Sequence, residues 1–384
     1  MQAASRQPDR SGARVLVAED QLHVREALRL LLKGAGYRIT DVSTPAAVLQ
    51  ELAADRYDAL LLDLNYTRDT TSGAEGLELL PRIRQLDNTI PIVVLTAWGT
   101  VETAVKALHS GADDFVEKPW DNTRLLALLR TQLEQGKALR KNQLERELER
   151  EELREIQRAL LPRTIPSVAG CEIFVDWRPA GDVGGDYFDV LSQGDGRVAV
   201  CIGDVSGKGV PAALLMSNLQ ASVRALATEN LAPSDLCRRL NQVACANTAN
   251  GRFITFLYAV LDLRAGRVAY ANAGHNSPVL VHGDGTCARL TQGGPVLGQF
   301  PGAAYEPGEV AVQAGDKLVL FTDGIVEAPD ENEREFGEGR LIALVEQQRH
   351  LDGAALHQTL LEAVRAHCGG RLQDDATLMV ISVG

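Results

Sequence analysis

Short apolar runs separated by polar, helix-periodic stretches recur through the first third of the chain. The runs at Val15–Ala18, Ala59–Leu62, Ile92–Leu95 and Phe115–Val116, with a further one near Tyr37–Thr40, predict five strands. Strands alternating with helices make a parallel sheet covered on both faces. The helix over Val24–Lys33 carries its stop signals in Gly34 and Gly36. From Leu125 to Leu161 the pattern changes: Leu139–Glu155 contains no Gly, Pro or β-branched residue and predicts one long helix, ended by Pro162 and Pro166. Its apolar positions, Leu139, Leu144, Leu148, Leu153, Ile156 and Leu160, depart from a strict heptad, so a coiled coil is one option rather than a requirement.

Beyond Pro166 the period shortens to that of strands: Glu172–Trp177, Arg197–Ile202, Ile254–Leu261, Val268–Ala271, Val279–Val281, Lys317–Phe321 and Thr377–Ser382. Apolar helical stretches at Val210–Ala227, Pro233–Ala249, Glu338–Arg349 and Gly353–Cys368 are grouped among them. Grouped strands and helices predict an α+β, layered sandwich. The expected organisation is a disordered stretch over 1–12, an α/β domain over 13–135, a helical linker over 136–161 and the α+β domain over 162–384.

Composition narrows the function classes. The 384 residues suit two folded domains, and 45% apolar with 23% charged residues is globular. With 39 Lys+Arg against 51 Asp+Glu the net charge is −12, which argues against a broad grip on nucleic acid or anionic membrane. After Pro162 the balance is 17 basic to 26 acidic residues, and no helix-turn-helix-sized unit follows. No apolar run is long enough to span a bilayer and no signal peptide opens the chain, so a cytoplasmic protein is expected. Cys171, Cys201, Cys237, Cys245, Cys287 and Cys368 form no CxxC and have no clustered His, which predicts buried free thiols rather than a zinc site or disulfides.

Ligands of an open parallel sheet gather at the carboxyl ends of its strands. There the chain carries Glu19 and Asp20, Asp63, Thr96 and Lys118, each after a predicted strand. Carboxylates crowded in one crevice repel unless a cation joins them, and Mg2+ suits such an oxygen set. One Asp then serves as nucleophile toward a phosphoryl group, with Lys and Thr on its oxygens. Any one of these acids alone reads as a turn former; their joint order does not. This segment resembles the response-regulator receiver domain. The resemblance implies a flavodoxin-like, doubly wound five-stranded sheet, Glu19 and Asp20 as the acidic pair that binds Mg2+ together with Asp63, and Asp63 as phosphoacceptor. It also implies Thr96 as switch hydroxyl, Phe115 as switch aromatic, Lys118-Pro119 as the closing lysine and its proline, and a cognate sensor histidine kinase. In place of the usual Met-Pro pair the chain reads Asp63-Leu-Asn-Tyr-Thr-Arg-Asp-Thr-Thr-Ser-Gly73, a longer and more polar loop.

Four further motifs set a carboxylate beside glycine or at a strand edge: Gly184-Gly185-Asp186-Tyr187, Gly203-Asp204-Val205-Ser206-Gly207-Lys208-Gly209, Thr322-Asp323-Gly324 and Asp374-Asp375-Ala376-Thr377. Glycine lets the backbone come close to a metal or phosphate. Asp204 and Asp323 are expected to follow strands and Asp374 to precede one, so that all enter a shared cleft. With little His and no Cys among them, the set suits two Mg2+ or Mn2+ ions that activate water for attack on phosphorus. Each Asp-Gly singly is a turn; the four together are a site. Gly184–Phe188 is similar to the Gly-Gly-Asp/Glu-Glu-Phe signature of diguanylate cyclases but has Tyr187 where an acid is needed. Gly203–Lys208 lacks P-loop spacing, with Gly209 where Ser or Thr is required.

The ordered set resembles the bacterial branch of the PPM (type-2C) serine/threonine phosphatases, the SpoIIE-like enzymes. Gln157–Pro162, Arg178-Pro179-Ala180, Pro211–Ser217, Ala273-Gly274-His275-Asn276 and Thr322–Ala328 add to the match. The resemblance implies an αββα sandwich in which Asp204 bridges two metals. Asp186 and the Val205 carbonyl complete one site, Asp323 and Asp374 the other, with Asp375 as a further neighbour and Arg178 as a candidate for the substrate phosphate. His275 reads as a structural hydrogen-bonder before a general acid. The implied substrate is phosphoserine or phosphothreonine on a STAS-fold anti-sigma-factor antagonist, and the implied control is a shift of the Gln157–Pro162 helix on receiver phosphorylation, with homodimerisation along Leu139–Leu160 as one route. A binding module that sequesters such a partner without turnover is the alternative.

Overall fold

The computed structural model describes residues 12–66, 74–96, 101–194, 196–248 and 251–384. The expected disordered N-terminus, apart from Gly12, and residues 67–73 of the loop after Asp63 lie outside them. The chain divides into two compact units, one ending at Leu148 and the other beginning at Glu149. Among the described residues no helix is long and apolar enough to cross a membrane.

The first unit runs β1 (Arg14–Ala18), α1 (Leu22–Gly34), β2 (Arg38–Val42), α2 (Pro45–Ala54), β3 (Ala59–Asp63), α3 (Ala74–Leu86), β4 (Ile92–Thr96), α4 (Val101–His109), β5 (Asp114–Glu117) and the start of α5 (Asn122–Leu160). All its strands pair in parallel, in the order β2-β1-β3-β4-β5. This is the doubly wound sheet of the sequence expectation. Its central strands are apolar throughout because both faces are covered. Val15 and Val17 pack with Leu28, Leu32, Leu125 and Leu129, whereas Leu16 and Ala18 pack with Val48, Leu79 and Leu80. Two strands run one residue beyond the apolar run, so Asp63 and Thr96 are terminal strand residues rather than loop residues.

Helix α5 remains attached to this unit well past the sheet. At Gly136 an added Cβ would lie 2.4 Å from Pro91 Cγ, so only glycine allows the helix so close. One turn on, Arg140 donates to the Tyr57 carbonyl at 2.6 Å and the Thr89 hydroxyl at 3.0 Å, and pairs with Asp58 and Asp87 at 3.4 and 3.3 Å. A guanidinium meeting four acceptors at once is a stronger anchor than a single exposed ion pair.

The second unit contains β6 (Cys171–Arg178), β7 (Tyr187–Ser192), β8 (Arg197–Val205), α6 (Val210–Ala227), α7 (Pro233–Asn247), β9 (Ile254–Asp262), β10 (Arg267–Ala273), β11 (Val279–Val281), β12 (Cys287–Arg289) and β13 (Gly293–Gly294). It continues with β14 (Gly308–Ala311), β15 (Lys317–Phe321), α8 (Asp323–Val326), α9 (Glu338–Gln347), α10 (Gly353–Cys368) and β16 (Ala376–Val383). Two sheets result, ordered β13-β10-β9-β8-β7, with β14 also on β10, and β12-β11-β15-β16-β6. Their inner faces share one core, in which Val200, Ile202 and Leu257 meet Leu318, Leu320, Met379 and Ile381; Phe256 on the other face of β9, with Met216, Leu219, Leu236 and Leu240 of α6 and α7, belongs to the same core. A second core joins Val319, Phe321, Leu378 and Val380 to Leu341 of α9 and Leu356, Leu360 and Val364 of α10. The layers are helix, sheet, sheet, helix, as expected.

Two expectations need correction. Strand β8 runs to Val205, so Asp204 sits inside the strand, opposite Thr255 of β9, and does not follow it. Strands β7, β12, β13 and β14 have no counterpart in the sequence reading; the last three are only two to four residues long, and in β7 Asp189 interrupts the apolar pattern. That carboxylate is buried, accepting from the Tyr187 hydroxyl at 2.9 Å and pairing with Arg224 of α6 at 2.7 Å. All six cysteines are free, but only Cys201, Cys237 and Cys368 are buried; Cys171 and Cys245 are half-buried and Cys287 is exposed.

Candidate functional site

In the first unit the ends of β1, β3, β4 and β5 bring the predicted residues together. Carboxylate oxygens of Glu19, Asp20 and Asp63 lie within 4.8 Å of one another. Lys118 donates to Glu19 Oε2 at 2.6 Å and to Asp63 Oδ2 at 2.9 Å. Burial pushes the Glu19 carboxyl up to about 7, against the Lys118 bond and with Asp63 adding repulsion. Desolvation pulls the Lys118 ammonium down, but Glu19 and Asp63 outweigh it and hold it above its ordinary value. Asp20 Oδ1 is buried with no hydrogen-bond partner. An orphaned acceptor in an all-oxygen set that one lysine does not neutralise fits a Mg2+ ion. Thr96 is buried at the end of β4, while Phe115 on β5 is 37% exposed.

In the second unit Asp186 precedes β7, Asp204 lies within β8 one residue before its end, Asp323 opens α8 and Asp374 precedes β16. Asp186 is fully buried. Its Oδ2 accepts from the Thr322 and Thr377 hydroxyls at 2.8 and 2.6 Å, its carbonyl accepts from Trp177 Nε1 at 3.1 Å, and its Oδ1 has no partner. Desolvation, then Asp204, drive its carboxyl well above the carboxylate range. Burial and the charges of Asp323, Asp374 and Asp375 push Asp204 up to about 7. Burial with Glu327 and Asp374 pushes Asp323 up to about 6. These acids therefore share one field, though they are more widely set than the Glu19 group. The free Asp186 oxygen and the mutual repulsion of the set fit divalent cations with oxygen ligands.

Asp375 is committed elsewhere: its Oδ1 accepts from the Ala180 N–H at 2.7 Å and its Oδ2 from the Gly185 N–H at 2.6 Å. Two of the motif glycines, Gly184 and Gly324, are set by close packing against Asp375. An added Cβ at Gly324 would lie 2.1 Å from the Asp375 carbonyl oxygen, and one at Gly184 2.5 Å from its carboxylate. Arg178 ends β6 with its Nε 2.7 Å from Asp176, at the edge of an open cleft of about 940 Å3 that Ala180, Arg371 and Gln373 also line. His275 is buried away from that cleft. Its Nδ1 is 2.9 Å from the Thr255 hydroxyl, and burial lowers its pKa to about 4.

The structure also shows what a list of acids does not. Gln157, at the end of α5 and within the second unit, is buried; its amide donates to the Gly184 carbonyl at 2.6 Å and accepts from the Gly184 N–H at 2.9 Å. Arg154 meets Asp182 beside it. The sequence signal was present in the Gln157–Pro162 stretch, but not the partner.

An acidic pocket closed by a lysine on a doubly wound sheet, followed by an acidic centre in an αββα sandwich, defines a response regulator with a PPM-class phosphatase domain. Residues 15–130 match the response regulator receiver domain, and residues 194–384 match Stage II sporulation protein E (SpoIIE). The chain is 30% identical over 231 residues to the phosphoserine phosphatase RsbU of Bacillus subtilis, covering 59% of this chain and 67% of that one. To Protein IcfG of Synechocystis it is 28% identical over 263 residues, which is 61% of this chain but only 41% of that protein. The SiaA-PP2C domain of Pseudomonas aeruginosa shares the fold, with a TM-score of 0.57 at 22% identity over 63% of this chain and 99% of that one. The chain belongs to the SpoIIE family of PPM-type phosphatases, with a receiver domain at its N-terminal side.

Removing the Gln157 amide leaves the N–H and the carbonyl of Gly184 unpaired, two residues before Asp186. Gln157→Ala is expected to weaken divalent-cation binding about 10- to 100-fold, the usual cost of losing an outer-shell support. Calorimetric Mn2+ titration of the full chain reads this; unchanged affinity would refute the latch.

Proposed function

We propose that this protein is a response regulator in which phosphorylation of Asp63 controls metal-dependent hydrolysis of phosphoserine or phosphothreonine on a partner-switching protein of the anti-sigma-factor-antagonist type. The observation that carries the reading is the gathering of Asp186, Asp204, Asp323 and Asp374 from four separate elements, at an energetic cost from burial and repulsion that a catalytically idle surface has no reason to bear. Asp204 would bridge two cations, with Asp186 and the Val205 carbonyl on one and Asp323 and Asp374 on the other. Mn2+ or Mg2+ bound there would supply Lewis-acid charge and an activated water. The chain's own residues fix the acids: Thr322 and Thr377 orient Asp186, β8 pins Asp204 in the sheet, and Asp375 draws Ala180 and Gly185 toward them. Asp375 thus acts as a positioning residue rather than a ligand.

In the receiver, Glu19, Asp20 and Asp63 would hold Mg2+, whose charge assists phosphoryl transfer. The Asp63 carboxylate oxygen forms the new bond to phosphorus as the P–N bond to the donor's histidine breaks and the freed imidazole leaves; Lys118 neutralises Asp63 from 2.9 Å, and the Thr96 hydroxyl orients a phosphoryl oxygen as Phe115 turns inward. The donor is a sensor histidine kinase. Output is transmitted by α5, whose final turns hold Gly184 through Gln157. Leu139, Leu144 and Leu148 are exposed on α5 in the first unit, and Leu153 and Ile156 in the second, which supports self-association along the helix. A cytoplasmic location agrees with the free cysteines.

The direct test is hydrolysis by the full chain, with Mn2+, of an aryl phosphate and of peptides phosphorylated on serine, threonine or tyrosine. Turnover of the serine and threonine peptides, abolished by chelation, is expected. Absence of turnover with Mn2+ bound would favour the sequestering module instead.

A further inference from the structure

Lys208 lies between β8 and α6, flanked by Gly207 and Gly209 with φ of 99° and 70°. Its ammonium is 2.8 Å from Asp374 Oδ2 and 2.7 Å from the Gln373 carbonyl oxygen. Of the five acids around the centre, Asp374 alone forms an ion pair among the described residues, and its other oxygen accepts the Asp375 N–H at 2.9 Å. The Lys208 side chain is 60% exposed, and Gln373 lines the cleft beside Arg178.

We propose that Lys208 is an exchangeable counter-ion: it neutralises Asp374 until a divalent cation takes that carboxylate, and the released ammonium then receives a non-bridging oxygen of the substrate's phosphoryl group. The inference rests on the phosphatase reading and names the group that meets the phosphate. Three features support it. The pair is solvent-exposed, and such pairs are weak, so a divalent cation displaces it easily. The two glycines fix the loop in a left-handed path that other residues rarely adopt, so the backbone stays near the centre while the long side chain is free to swing. Finally, a phosphate dianion arriving at a field of carboxylates needs a cation from the protein. Arg178, the sequence candidate, already has Nε on Asp176 at 2.7 Å, whereas Lys208 would have just lost its partner.

The experiment uses the full chain as wild type, Lys208→Gln and Lys208→Arg. Mn2+ binding is read by calorimetry, and inorganic phosphate binding by inhibition of aryl phosphate hydrolysis at saturating Mn2+. Lys208→Gln is expected to bind Mn2+ roughly two- to fivefold more tightly, because the internal competitor is gone. The same variant should bind phosphate about tenfold more weakly, because a charge-assisted hydrogen bond is gone. Lys208→Arg should stay near wild type in both. Opposite signs distinguish ion exchange from a structural role, which would weaken both. Weakening of both, unchanged Mn2+ affinity or unchanged phosphate inhibition in Lys208→Gln overturns the proposal while leaving the phosphatase reading intact. A wild type that binds no Mn2+ overturns that reading, and this one with it.

Discussion

Asp204→Asn is expected to eliminate hydrolysis, by on the order of a hundredfold to a thousandfold or more, and yet to make the protein harder to unfold at pH 8 in chelator. Both effects come from the same carboxylate. It is the proposed bridge between two cations, and a Lewis-acid pair is worth several kcal/mol of transition-state stabilisation. It is also buried among Asp323, Asp374 and Asp375, which push it from the ordinary 3.8 up to about 7. A carboxyl whose pKa is raised on folding binds its proton more tightly in the native state. Stability therefore falls as pH rises from about 4 to about 7 and stays low above. Asn carries no charge to bury, so the variant should gain about 2–4 kcal/mol over wild type at pH 8, with the gap closing near pH 4. Thermal unfolding in chelator across that pH range measures it. Excess Mn2+ should reverse the order, since wild type gains binding energy the variant cannot. A variant that melts no higher than wild type at pH 8 without metal would mean that the acids do not share one field.

Asp63→Asn is expected to abolish covalent phosphoryl uptake from a small phosphodonor such as acetyl phosphate, from close to one per chain to none, and with it any response of hydrolysis to the donor. The amide cannot attack phosphorus, and it removes one of the two carboxylates that hold Lys118. Mass measurement of the intact chain reads the uptake, and parallel hydrolysis assays with and without donor read the control. Phosphoryl uptake persisting in Asp63→Asn would move the acceptor elsewhere. Uptake by wild type with no change in hydrolysis would disconnect the two halves and remove the regulatory proposal.

Much of the fold was legible because its signals are local. Five apolar runs, a glycine-punctuated helix and a long stretch free of Gly, Pro and β-branched residues each announce an element without reference to the rest of the chain. The receiver residues were legible for the same reason, since each stands at the end of an apolar run and strand ends converge in this topology. What escaped was whatever depended on a distant partner. Strand β7 was invisible because Asp189 looks wrong inside a strand until Arg224 and Tyr187 are seen beside it. The strand position of Asp204 was invisible because pairing with Thr255 carries β8 past the apolar run. The division of labour between Asp374 and Asp375 was likewise hidden: adjacent and identical in the sequence, they differ only in that Asp375 faces the Ala180 and Gly185 amides while Asp374 faces Lys208.

The sequence by itself thus determined the two architectures, the order of their elements and the set of acids, because hydrophobic period and strand-end placement act over a few residues. Tertiary structure alone decided which acids are free, which are paired, that Gln157 holds Gly184 ahead of Asp186, and that Lys208 pairs with Asp374 while Arg178 pairs with Asp176. These depend on which groups lose water together and which find a partner when they do. Burial and pairing are properties of the assembled layers, set by residues that can be 190 positions apart, as Gly185 and Asp375 are.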